Sequence, residues 1–327
     1  MALLSILDLA PITQGSDSTT AFRNSLDLAQ RAEQLGYHRY WVAEHHNMPG
    51  IASAATSVVI AHIAGGTKTI RVGAGGIMLP NHAPLVVAEQ FGTLDALFPG
   101  RIDLGLGRAP GTDQNTARAL RRTLQTNPDD FPRDVLELMS YFSPEEGQSV
   151  KAVPGSGARV PIYILGSSLF GAQVAAMFGL PFAFASHFAA QQMTQAIGVY
   201  RQRYRPSEAH PEPYLILGVN IVAAETDDEA RFLASSGRES FTKLRSGMPI
   251  QLPPPSQEFE KQVVAFGQIP LEDVMSVAMV GSAATIAESL RRFEEMTRPD
   301  ELMIVSQIYE HAKRVKSYEL IAQTRQR

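Results

Sequence analysis

RIDLGLGRAPG, residues 101–111, decides how the chain folds. Ile102, Leu104 and Leu106 alternate with Asp103 and Gly105, and the run then ends in Gly107, Arg108, Ala109, Pro110 and Gly111. A short apolar segment that stops at a cluster of glycine and proline predicts a buried strand whose carboxyl end opens onto a ligand. Glycine lets the backbone come close to a bound group. Arg108 offers a planar fork of donors suited to phosphate, although a solvated arginine in a loop is the plainer reading. The rest of the chain decides between them.

On either side of this fourth strand, apolar strands alternate with helices. Residues 3–10 (LLSILDLA), 38–44 (HRYWVAE) and 70–79 (IRVGAGGIML) predict the first three strands. Residues 161–166, 181–187, 214–223 and 301–307 predict the fifth to the eighth. A helix is expected over 20–35, capped by Ser18 or Thr19 and stopped by Gly36, and others over 53–65 and over 84–97 with Pro84 in its first turn. Further helices are expected over 168–178 with Gly179 as the stop, over 190–203, from near Thr226, over 282–296, and at the end of the chain. Two excursions interrupt the alternation. Residues 112–160 carry helices over about 114–126 and 132–142, and residues 246–262 (SGMPIQLPPPSQEFEKQ) contain three consecutive prolines that bar a regular element. The second excursion is expected to be a mobile lid over the strand carboxyl ends. Strands apolar on both faces and separated by helices predict an α/β protein, a single (β/α)8 TIM barrel spanning residues 1–327, with insertions after strands 4 and 7.

Composition narrows the partners. With 327 residues, 44% of them apolar, the chain buries a large core, and a net charge of −4 gives no basic field for nucleic acid or anionic lipid. There is no apolar stretch long enough to span a membrane. The opening MALLSILDLAPITQG has no basic leader and carries Asp8, so it reads as a first strand rather than a signal peptide. The absence of cysteine excludes disulfides and thiolate chemistry and suits a cytoplasmic protein.

In such a barrel the functional groups gather at the strand carboxyl ends. Those ends carry Asp8 and Pro11; Glu44, His45 and His46; Gly75 and Gly76; Arg108; Ser167 and Ser168; His187; and Gln307. Glu44-His45-His46 suggests a metal at first, but neighbouring residues at a strand end point in different directions and no HxH or HxxxH pair is present. A histidine satisfied by a buried hydrogen bond and an active-site acid or base both remain open. GLGRAPG differs from a dinucleotide fingerprint, because its spacing is G-x-G-x-x-x-G, Pro110 intrudes, and it lies on the fourth strand. Ser167 and Ser168, at a helix start, read as a cap whose exposed N–H groups would equally bind phosphate. Asp103 reads as structural or solvated charge.

The chain resembles the bacterial-luciferase-like flavin-dependent monooxygenase superfamily over nearly its whole length. The resemblance is carried in order by WVAEHHN (41–47), VGAGGIMLPNHAP (72–84), AEQFGTLDALFPGRIDLGLGRAPG (88–111), PIYILGSS (161–168) and GSAATIAESL (281–290). It is nearest to the FMN-using subgroup with a GLGRAPGTD loop. The resemblance implies that His45 stands at the reactive edge of the flavin, that Arg108 grips the FMN phosphate, and that Ser167 and Ser168 assist. In the luciferase itself a glutamate stands where Ser167 is. A non-proline cis peptide after the third strand is matched in place by Gly75-Gly76, both counted with the cofactor site. The activity implied is oxygenation of a small organic substrate, an aldehyde or other apolar compound, by O2 and reduced FMN from a separate, transiently bound flavin reductase. A deazaflavin (coenzyme F420-type) dehydrogenase on the same barrel and a non-catalytic flavin-binding protein are the alternatives. A homodimer built on helices 53–65 and 84–97 is expected, since both are rich in small and apolar residues.

Overall fold

The computed structural model describes residues 1–109, 114–120, 130–259 and 277–325. Nine parallel strands lie among them: β1 (Leu3–Asp8), β2 (Arg39–Val42), β3 (Arg71–Met78), β4 (Ile102–Gly107), β5 (Ile162–Gly166), β6 (Phe182–Phe184), β7 (Leu215–Ala224), β8 (Met279–Ser282) and β9 (Glu301–Val305). Strands β1 to β6 pair in sequence order, β6 pairs with β7, β7 with β9, and β9 returns to β1, so eight strands close a barrel. The fold is the expected (β/α)8 barrel. The ninth strand, β8, was not expected; among the described residues it pairs only with Ile221–Ala224 at the outer half of β7 and stays outside the ring.

The helices are α1 (Ser18–Gln34), α2 (Thr56–Gly66), α3 (Pro84–Leu97), α4 (Gln114–Leu120), α5 (Phe131–Phe142), α6 (Leu169–Phe178), α7 (Ser186–Ala189), α8 (Met193–Arg203), α9 (Asp227–Arg245), α10 (Ala283–Thr297) and α11 (His311–Gln323). Their ends follow local chemistry. Asp17, rather than Ser18 or Thr19, caps α1 by accepting from the Thr20 N–H at 2.8 Å. Thr226 and Ser282 cap α9 and α10 with their side chains, and Gly179 closes α6 in the left-handed conformation. The sixth strand ends at Phe184 rather than at 187, because Ser186 Oγ donates to the Gly218 carbonyl and the chain winds into one helical turn. The expected helix 114–126 is described to Leu120, and its remainder lies outside the described residues.

Alternation along each strand sorts the side chains into two layers. Leu4 and Ile6, Tyr40 and Val42, and Ile102, Leu104 and Leu106 join the core between barrel and helices. Leu7, Trp41, Tyr163, Ala183, Ile216 and Met303 fill the barrel itself. Asp8 faces the helix layer. It takes hydrogen bonds from Ser25 of α1 and Tyr40 Oη and pairs with Arg314 of α11 at 2.6 Å, so it is not part of the strand-end site.

The amino end of the barrel is filled by charge. Arg39 donates to Glu301, Asp103 and the Tyr163 hydroxyl at 2.8, 2.8 and 2.7 Å. Asp103 also takes the Trp41 Nε1–H and pairs with Arg71, while Tyr214 Oη donates to Glu301. Asp103 is thus structural and fully buried rather than solvated.

The second excursion has no helix or strand from Gly247 to Pro255, as its prolines require, but it is stitched down. Leu252 is 2% exposed and bridges Thr13, giving its N–H to the Ile12 carbonyl and accepting from Gln14 N–H. A Cβ on Gly50 would lie 2.5 Å from the Ile250 carbonyl oxygen, so only glycine lets the loop after β2 pass beneath this strap. Residues 260–262 of the expected lid lie outside the described residues.

Candidate active site

At the carboxyl ends of the strands a cleft encloses about 1090 Å³, its mouth included. His45, Gly75, Arg108, Ser167 and Ser168 all line it, so five of the residues singled out in the sequence meet around one space. Its floor and walls are apolar, formed by Leu7, Trp41, Leu165, Ile216 and Met303 from the barrel interior. Gly76 is placed differently. Gly75 and Gly76 are joined by a cis peptide bond, and a Cβ on Gly76 would lie 2.6 Å from the Gly105 carbonyl oxygen, so Gly76 packs into the strand wall.

One end of the cleft is built for an anion. Arg108 leaves the end of β4 with its guanidinium over the Phe170 ring of α6. Ser168 is the residue that caps α6, yet its hydroxyl makes no capping hydrogen bond, and neither the Ser167 nor the Ser168 hydroxyl has a hydrogen-bond partner among the described residues. A cation, two unengaged hydroxyls and the first N–H groups of a ten-residue helix therefore converge on one spot. That donor set suits a phosphate dianion, and the apolar space beside it suits an aromatic ring system. The residues present fit FMN.

The other end belongs to the histidines. Glu44, 1% exposed, accepts from His46 Nε2 and His82 Nε2 at 2.9 Å each and from the Met78 N–H at 3.0 Å. Burial pushes its carboxyl up, but His82, His46 and the Met78 N–H outweigh that and hold it below its ordinary range. Glu44 thereby ties the loop after β2 to the loop after β3, and His45, between Glu44 and His46, turns into the cleft.

A second chamber of about 1270 Å³ adjoins the first and shares Leu9, His45, His187 and Phe188 with it. Met48, Ile51, Phe241, Ile250 and Leu252 give it apolar walls, the last two from the strap, with Asn220 and Gln307 at its inner end. His187, noted in the sequence only as a strand-end residue, stands where the chambers meet. Removal from solvent, and then the nearby His45, push its pKa down to about 4. Asn220 Nδ2 donates to the His187 carbonyl at 2.7 Å and fixes its backbone. The sequence did hold a signal for this chamber. Gly218 and Asn220, two apart in an otherwise apolar strand, share its inward face.

The sequence profile of the family described as luciferase-like monooxygenase matches residues 4–298. A luciferase-like monooxygenase of Escherichia coli (strain K12) is 51% identical over 317 residues, covering 97% of this chain and 95% of that protein. Among solved structures, apo-MsnO8 is 34% identical with a TM-score of 0.90, covering 99% of this chain and 98% of that one. Two more distant structures share the fold. The oxygenating constituent of 3,6-diketocamphane monooxygenase of Pseudomonas putida, in complex with FMN, has a TM-score of 0.73 at 20% identity over 99% of this chain and 97% of that one. An F420-dependent secondary alcohol dehydrogenase has a TM-score of 0.72 at 14% identity, covering 99% and 98%.

Proposed function

Because the chain belongs to the luciferase-like monooxygenase family, we propose that it is an FMN-dependent enzyme that uses O2 to oxygenate a small organic substrate, an aldehyde or other apolar compound. The observation that carries this reading is the convergence of Arg108, Ser167, Ser168 and the start of α6 at one end of an apolar cleft whose other end holds His45.

When bound, reduced FMN supplies the electrons with which one atom of O2 is transferred to the substrate and the other leaves as water. The chain's own residues do the rest. Arg108 grips the phosphate, with Phe170 beneath the guanidinium to limit its freedom. The hydroxyls of Ser167 and Ser168 and the α6 N–H groups donate to the remaining phosphate oxygens. Leu7, Trp41, Leu165, Ile216 and Met303 receive the ring and exclude water. Gly75 leaves its backbone open to the same space. His45 holds or releases a proton at its imidazole, kept in place by the Glu44 contacts on either side of it.

In this reading residues 1–327 act as one barrel domain in the cytoplasm, and a separate flavin reductase delivers the reduced cofactor. No described helix is long and apolar enough to cross a membrane. The protein is a homodimer through α2 and α3, which leave Val58, Val86 and Leu97 exposed by 67%, 44% and 62%. The test is a titration of the purified chain with FMN and with coenzyme F420, followed by oxygen consumption with a reductase and candidate aldehydes. Preferential FMN binding with substrate-dependent oxygen uptake is expected. Preferential F420 binding without oxygen uptake makes it a dehydrogenase, and FMN binding without any turnover makes it a carrier.

A further inference from the structure

Of the four residues that border both chambers, His187 carries a polar side chain to which the proposed reading gives no task. Its two ring nitrogens have different surroundings. Nδ1 is buried without a hydrogen-bond partner. A Cβ on Gly218 would lie 2.3 Å from it, so the Gly218 Cα–H on that side lies against that nitrogen. A C–H directed at a ring nitrogen is weakly favourable if the nitrogen bears a lone pair and repulsive if it bears a proton. A buried N–H with no acceptor is also unfavourable, because it gives up its hydrogen bond to water for nothing. Both arguments place the proton of the neutral ring on Nε2. Nε2 has no hydrogen-bond partner among the described residues and is not among the closed-off buried atoms, so it opens into the cavity. The ring is held by its edge-on contact with Phe188, and its backbone by Asn220 and Ser186.

We infer that His187 is a substrate-binding residue whose Nε2–H donates a hydrogen bond to a carbonyl oxygen of the organic substrate where the two chambers meet. The substrate class is accordingly an apolar molecule with a neutral carbonyl at its inner end and its tail in the second chamber, against Phe241, Ile250 and Leu252. The depressed basicity of His187 agrees with this, because a neutral ring keeps the donor without bringing a charge into an apolar chamber. The inference rests on the first cleft being the flavin site, since the carbonyl is placed where that cleft opens into the second chamber.

The experiment uses two probes, methyl pentyl ketone and its methylidene isostere, in which a carbon replaces the carbonyl oxygen. Their affinities for the full chain are measured by ligand-observed NMR titration, with and without oxidised FMN, which does not turn over unless reduced. One neutral hydrogen bond predicts that wild type prefers the ketone about three- to tenfold. His187→Phe abolishes the preference while leaving the isostere's affinity unchanged, and His187→Gln, which keeps an N–H donor, retains most of it. Gly218→Ala, which pushes the ring aside, lowers the preference without altering His187. Nitrogen shifts of labelled histidine show the Nε2–H form at neutral pH. A wild type that binds neither probe or binds both equally, a His187→Phe protein that still prefers the ketone, or a ring protonated on Nδ1 overturns the inference. The donor belongs to the flavin-free chain, so the preference is expected there even if the FMN titration fails, which separates the two results.

Discussion

The Arg108 guanidinium carbon lies 4.2 Å from the centre of the Phe170 ring. The contact joins the end of β4 to the first turn of α6, the two elements that supply the proposed phosphate site. An arginine held over an aromatic face loses less freedom when it takes up a ligand than one waving in solvent.

Arg108→Ala is therefore expected to weaken FMN binding by about tenfold or more, the equivalent of a charge-assisted contact of about 1.5–3 kcal/mol. Riboflavin, which lacks the phosphate, is expected to bind the variant and the parent alike. Fluorescence titration with both flavins checks this. Equal losses for the two mean that Arg108 serves the ring rather than the phosphate.

His45→Asn is expected to slow substrate oxidation while leaving thermal stability nearly unchanged. The loop geometry is held by Glu44 through His46, His82 and the Met78 N–H, none of which the substitution removes. Steady-state turnover and a melting curve on the same preparation decide. Full activity, or an unfolded protein, contradicts the role given to His45.

Asp8→Ala is expected to cost about 3–5 kcal/mol of stability, because it strands the buried Arg314 without its partner. The same pair gives an acid limb with a definite sign. Burial pushes the Asp8 carboxyl up, but Arg314, Ser25 and Tyr40 outweigh it and leave the folded pKa below the ordinary value. Its stabilising contribution is complete above about pH 4 and is lost as the pH falls through the folded value. Denaturant unfolding at a series of pH values is expected to give a shallower acid dependence in Asp8→Asn than in wild type. Identical slopes assign the acid limb to other carboxylates.

The dimer reading is checked by light scattering at micromolar concentration, with Val58→Glu and Leu97→Glu combined in one variant. Both side chains are exposed in the single chain, so the variant is expected to fold as a monomer while wild type is a dimer. A monomeric wild type refutes the interface.

Cleavage of the strap by a protease is expected to slow once FMN and substrate fill the chambers beneath Ile250 and Leu252. The stitching at Leu252 makes the free protein's strap better anchored than a run of prolines alone suggests. Equal cleavage rates with and without ligands make it a static roof.

Much of this site was legible because strand ends are marked in the sequence by glycine, proline and abrupt polarity. Arg108 follows such a mark, as do Ser167 and Ser168, and each lines the cleft. What escaped depends on contacts between residues far apart in the chain. Asp103 gives no sign in its own strand that Arg39 and Arg71, more than thirty residues away, neutralise it. Asp8 looked like a site residue because it ends a strand, yet alternation sends it outward to Arg314, at the far end of the sequence. His187 was visible as a residue but not as a donor, because its role depends on Gly218 lying against one nitrogen and a cavity against the other. The ninth strand is four residues long and, among the described residues, borders only β7, too brief for any pattern to declare itself.

The charged cluster at the amino end makes the barrel a vessel with a single mouth. Arg39 and Arg71 balance Asp103 and Glu301, and Trp41, Tyr163 and Met303 pack above them. Arg39, Asp103 and Glu301 are all but sealed from solvent. The two chambers lie at the opposite end, at the rim where His45, His187 and the strap stand. Exchange between the site and bulk water is thereby governed by the loops at one end of the barrel, and a change to those loops alters every kind of traffic together.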